Sequence, residues 1–125
     1  MFFIGKAGGI MWNDRGDVAS HDFGIGDLTH DNNWHDLDLS GIVGVGVKLV
    51  LLHLHISTSV GNPTIYMKQN GNVNDINMVY KKFQGAGSVW DTVEVTTDAN
   101  GVIEYKLILG STITMCNITV RGWFA

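Results

Sequence analysis

From about residue 45 onward, apolar and polar positions alternate with a period of two, as in strands that bury one face. Over residues 89–96, Val89, Val93 and Val95 share a face beside Asp91. After Asp98-Ala99-Asn100-Gly101, Ile103, Tyr105, Leu107 and Leu109 fall on one side, with Glu104 and Lys106 opposite. Asn-Gly supplies the positive φ angles of a tight turn, so the pattern predicts a hairpin of residues 89–96 with 102–109. Gly110-Ser111 permits another reversal into residues 112–124, where Thr112, Thr114, Cys116, Ile118, Val120, Gly122 and Phe124 share a face. Residues 45–57 read as one long strand, apolar on both faces, of the kind found between layers or inside an assembly. A helix is the rival reading of that run, but Gly41, Gly44 and Gly46 before it and Gly61-Asn62-Pro63 after it favour the strand. Shorter strands are predicted at residues 64–69 and 78–83, with Asn70-Gly71 marking a turn between them. Six or more antiparallel strands at this spacing predict an all-β protein, an antiparallel β-sandwich of jelly-roll type.

The first third has a different texture. Residues 1–33 form a glycine-rich N-terminal arm and loop, and residues 34–125 the β-sandwich domain. Phe2, Phe3, Ile4, Ile10, Met11 and Trp12 are interleaved with Gly5, Gly8 and Gly9. That composition suits an extended assembly arm, in which glycine allows close approach to a neighbouring subunit and the aromatics anchor it. The opening residues lack the basic and long apolar regions of a signal peptide. The longest apolar block carries Lys48, His53 and His55 and is too short to span a bilayer.

Composition then narrows the function classes. Of 125 residues only 16% are charged, 16 are glycine and one is proline, with a net charge of −4. Eight basic against twelve acidic residues make no large basic footprint, so nucleic acid is not an expected partner, and neither is a membrane. Cys116 is the only cysteine, which excludes an intrachain disulfide and a thiolate metal cluster, and its alternating apolar surroundings predict a buried, inert thiol.

Candidate chemistry is sparse. His21, Asp22, Asp27, His30, Asp31, His35, Asp36 and Asp38 crowd one segment, and His30, Asp31, His35 and Asp36 are its weak candidates for metal ligation. The spacing fits no known template, and position 12 of a calcium loop opening at Asp36 would be Val47, so a solvated polar loop is the leading reading. His53 and His55 project to one face, where they could bind a metal, switch with pH or make hydrogen bonds at a subunit contact; the last is favoured. Arg15-Gly16-Asp17 matches an integrin-binding tripeptide, read as coincidence. The two glutamates, Glu94 and Glu104, make no catalytic pair, and no nucleophile elbow or phosphate loop is present, so no enzyme and no cofactor are expected. Exposed aromatics, above all Trp34 and Trp90, are candidates for stacking on sugars, which gives a carbohydrate-binding module as the alternative function.

Three short motifs carry a resemblance. Trp34-His35-Asp36-Leu37-Asp38-Leu39-Ser40-Gly41-Ile42-Val43 is followed by Ile103-Glu104-Tyr105 and by Ile118-Thr119-Val120-Arg121-Gly122-Trp123. In order and spacing these resemble a C-terminal-type β-domain recurrent in structural proteins of tailed bacteriophages and prophages. The resemblance implies a β-sandwich in a virion, as a capsid decoration, fibre or tail-associated protein, without enzymatic activity. The leading expectation is then a homo-oligomer, a trimer as first guess, that also contacts other virion proteins such as a major capsid or tail protein; a host surface glycan is the partner expected under the carbohydrate-binding alternative. No binding residues come with the resemblance. The short arm in place of a large N-terminal region leads to the expectation of a stand-alone subunit.

Overall fold

The computed structural model describes residues 10–108 and 112–125. Phe2, Phe3 and Ile4 of the expected arm, and Leu109, Gly110 and Ser111 of the expected final reversal, lie outside them. Among the described residues eight strands run in chain order: β1 (Trp12–Asp14), β2 (His35–Asp38), β3 (Leu49–Thr58), β4 (Thr64–Gln69), β5 (Val79–Lys82), β6 (Gly87–Thr96), β7 (Val102–Ile108) and β8 (Ile113–Phe124). They form two antiparallel four-stranded sheets, one in the order β1-β8-β3-β6 and the other β2-β7-β4-β5. This interleaving is the double Greek key of a jelly roll, so the all-β sandwich is as the sequence predicts. A 3-10 turn (Ile25–Asp27) and one helical turn, α1 (Ser40–Val43), complete it. No helix among the described residues is long and apolar enough to cross a membrane.

The core lies between the sheets and follows the alternation closely. Val50, Leu52, Leu54 and Ile56 of β3 are fully buried, as are Ile65 and Met67 of β4, Ile103 and Leu107 of β7, and Cys116, Ile118 and Val120 of β8. Each large apolar side chain so buried contributes about 1.5–3 kcal/mol. Leu37 and Leu39 bracket Asp38 and turn into the same core. Asp38 accepts a hydrogen bond from the N–H of Ser40, the first residue of α1.

Three expectations are corrected. Residues 89–96 and 102–109 do not form a hairpin: β6 pairs with β3, whereas β7 pairs with β2 and β4 in the other sheet. The Asn100-Gly101 turn does form, with Gly101 at φ +82 and the Asp98 carboxylate accepting from the N–H groups of Asn100 and Val102. It is a corner between sheets. Thr97, fully buried, anchors that corner: its hydroxyl donates to the Gly46 carbonyl and accepts from the Lys48 N–H, while Gln69 donates to its carbonyl. Alternation specifies which face a strand buries, not which strand it pairs with.

The second correction concerns β3, which begins at Leu49 because Gly44 and Gly46 adopt positive φ angles. Val45 and Val47 are therefore 72% and 62% exposed. Outward from the sheet, β3 presents Leu49, Leu51, His53, His55 and Ser57, so only its first half is apolar on both faces.

The third correction lies in β8, whose residues do not keep one face. Register irregularities between Leu51 and Leu52, and again between Ser57 and Thr58, leave Arg121 and Thr114 as extra residues. Ile113 is consequently buried in place of Thr114, and Gly122 and Phe124 align with outward-facing Leu51 and Leu49.

Residues 12–33, assigned by sequence to the arm and loop, supply β1 on the edge of β8 and a bridge between Phe23 and Ile118. Residues 34–125 supply the other seven strands.

Gly101 combines a positive φ with close packing, since a Cβ there would lie 2.7 Å from the Gly44 carbonyl and 2.9 Å from Ser40 Cβ. Gly101→Ala is expected to cost about 1–3 kcal/mol through combined backbone strain and overlap. Urea denaturation of both proteins measures the difference.

Candidate functional site

The parity of β3 and its pairing on both sides determine what stands on the outer face of the β1-β8-β3-β6 sheet. At one end Trp12, Phe124, Leu49 and Leu51 are neighbours in register across β1, β8 and β3. The Trp12 and Phe124 rings lie 5.0 Å apart, and the indole rests on Gly122, where a Cβ would come within 2.3 Å of it. Ile10 and Met11 lead into this cluster and are 66% and 64% exposed.

At the other end the chemistry changes. His55 aligns with Trp90 of β6 on one side and Asn117 of β8 on the other, and His53 with Thr92 and Thr119. The His55 imidazole stacks on the Trp90 indole with centroids 3.5 Å apart and planes 12° from parallel, while His53 lies 5.3 Å from the same ring. Trp90 is 63% exposed, which leaves its second face open to solvent.

A wall rises beside these residues. After β1 the chain keeps contact with the edge of β8 through the Arg15 N–H, which donates to the Arg121 carbonyl, leaves it, and returns where the N–H groups of Asp22 and Phe23 donate to Ile118. Between them, residues 16–21 arch outward. The arch and the outer face enclose a cleft of about 470 Å³, lined by His21, His53, His55, Trp90, Asn117 and Thr119 among others.

The arch is held by an ion pair. Both terminal nitrogens of Arg15 donate to the Asp22 carboxylate at 2.9 Å, and the Val120 N–H donates to the same carboxylate at 2.8 Å. Burial works to raise the Asp22 carboxyl, but the hydrogen bonds from Arg15 and Val120 outweigh it and hold the group below the usual carboxylate range. The hydrogen bond from Arg15 to Asp22 likewise raises the guanidinium. Within the Arg15-Gly16-Asp17 tripeptide, the arginine is therefore committed to the fold, at variance with the free presentation that recognition of this motif requires.

The remaining candidates are dispersed. Of His30, Asp31, His35 and Asp36, only two meet: His35 Nε2 lies 2.7 Å from an Asp31 oxygen, and the hydrogen bond to His35 lowers the Asp31 carboxyl. Asp36 and His30 are exposed. Among the described residues, no three His, Cys, Asp or Glu side chains come together as a metal-binding group. Trp34 and Trp90 stand on opposite sheets and cannot share a ligand. Trp34 packs edge-on to Tyr66, with Lys68 Nζ 4.2 Å and Lys106 Nζ 4.9 Å from its ring, so its π-face is occupied by cations.

Sequence reasoning singled out Trp90 and paired His53 with His55, but it did not join them, and it passed over Asn117 and Thr119. The histidine spacing is a signal for a shared face. The β3-β6 and β3-β8 registers that bring the partners alongside have no local signature.

Two measurements check this description. Asp22→Asn should lower stability at neutral pH. Because the Asp22 carboxyl is depressed in the folded state, its contribution is present above the ordinary carboxylate value and lost as pH falls through the lower folded value. The substitution should therefore flatten the loss of thermal stability below about pH 4. Cys116 is fully buried, and burial pushes its thiol up to about 12. A thiol reagent at pH 8 should leave it unmodified in the native protein and label it once the chain is unfolded in urea.

No protein-family model matches the chain, and no curated protein is detectably similar to it.

Proposed function

We propose that the chain is a non-enzymatic structural subunit of a virion, a jelly roll that assembles with copies of itself and with other virion proteins through the apolar end of the β1-β8-β3-β6 sheet. The observation that carries the reading is the cluster of Trp12, Phe124, Leu49 and Leu51 on one outer surface, with the exposed Ile10 and Met11 leading into it. An apolar group that the described residues leave exposed marks a surface suited to contact. Edge strand β1 is only three residues long, and its one aromatic, Trp12, follows the segment that holds Phe2, Phe3 and Ile4.

The motif resemblance supports the virion setting. Leu37, Leu39, Ile103, Tyr105, Ile118 and Val120 all occupy core positions, so the apolar part of the motifs is tied to the sandwich itself. Low overall charge fits the same reading, since the partners of such a surface are selected by shape and apolar area more than by charge.

Light scattering coupled to size-exclusion chromatography tests the proposal. The wild-type chain should elute as an oligomer, and the Ile10→Asp/Met11→Asp double variant should shift toward the mass of one chain with little change in melting temperature, because both residues are exposed in the subunit. A wild-type protein that stays monomeric at high concentration, or a double variant that assembles unchanged, contradicts it.

A further inference from the structure

We propose that the cleft beneath the residue 16–21 arch is a binding site for a neutral saccharide, with the Trp90 indole as its aromatic wall. Pyranose rings carry a face of C–H bonds that packs on an aromatic ring and a rim of hydroxyl groups that need hydrogen-bond partners. The cleft supplies both. Trp90 projects from β6 with one face backed by the parallel His55 imidazole at 3.5 Å and the other exposed. That stacking fixes the indole before a ligand arrives, which reduces the ordering cost of binding.

Around the indole the sheet places groups of the required kind. Asn117 contributes an amide that donates and accepts, Thr119 a hydroxyl, and His53 and His21 imidazoles, all on the walls of the one cleft. Its volume of about 470 Å³ is in the range of small-molecule sites, and it combines an apolar surface with a few convergent polar groups. Gly24 keeps the space between two of these groups clear: a Cβ there would lie 3.3 Å from His21 Nε2 and 3.9 Å from Asn117 Oδ1.

The charges select the class of sugar. Both terminal nitrogens of Arg15 are taken by Asp22, so that charge is already balanced within the fold. The other charged side chains lining the cleft, Asp14 and Arg121, are of opposite sign. The site therefore suits an uncharged hexose. The apolar end of the sheet, around Trp12 and Phe124, lies beyond Gly122 and is not part of it, so this inference stands whether or not the chain assembles.

The test applies the full-length chain to an array of neutral and acidic glycans, followed by calorimetric titration of the best neutral ligand. The expected result is saturable binding to a neutral hexose-containing glycan, weakened at least tenfold by Trp90→Ala and several-fold by Asn117→Ala, and unchanged by Trp34→Ala on the opposite sheet. Circular dichroism verifies that each variant is folded, and if Trp90→Ala is not, Asn117→Ala decides. Binding to acidic glycans alone, binding that survives both cleft substitutions, or no binding to any neutral glycan overturns the proposal. Light scattering on the same solutions records the oligomeric state separately, so failure of this site and failure of the assembly reading are told apart.

Discussion

Strand β3 is hydrogen-bonded along both edges, to β8 and to β6, while every second side chain from Val50 to Ile56 is excluded from water. A strand so placed has no freedom of register, because a slip of one residue would expose the buried set and drive His53 and His55 inward. The fixed register determines what stands on the outer face: Leu49 and Leu51 beside Phe124 and Gly122, His55 between Trp90 and Asn117, and His53 between Thr92 and Thr119. The extra residue at Arg121 separates the two groups. On one side of it β8 turns Gly122 and Phe124 outward, and on the other Thr119 and Asn117. A single irregularity thus divides the face into an apolar end and a polar, aromatic end.

Faces and turns were legible in the sequence because they are local. Alternation marked Ile103, Tyr105 and Leu107 as buried, and Asn100-Gly101 marked a reversal that does occur. The partner of each strand was not legible. Residues 89–96 and 102–108 have the pattern and the turn of a hairpin, yet Thr97 is buried at a corner and sends the chain into the second sheet. The competition is non-local: the long edge of β3 takes β6, and nothing within the turn records that. The start of β3 and the faces of β8 were misjudged for related reasons, since positive φ at Gly44 and Gly46 and the two irregularities are set by tertiary packing.

The same division holds for the site. His53 and His55 were recognisable as a same-face pair, and Trp90 as an aromatic with a use, but their stacking follows from the pairing of β3 with β6. Conversely, the crowd of histidines and aspartates at residues 21–38 looked like one constellation and is not. Asp22 closes an ion pair with Arg15, Asp38 accepts from the Ser40 N–H at the start of α1, and His35 pairs with Asp31 beside the Tyr105 ring. Density of ligand-type residues along the chain says little about their density in space when the segment wraps from one sheet to the other.

On the proposed reading the two ends of one face take different partners, assembly at Trp12 and Phe124 and a small polar ligand at Trp90. Hydroxyl-radical footprinting of the protein as its concentration is raised tests that division most directly, because it reads individual side chains. Met11, Trp12 and Phe124 should become protected while Trp90 and His55 stay as reactive as in dilute solution. Protection of Trp90 with Met11 still reactive, or no protection at either end, would contradict it.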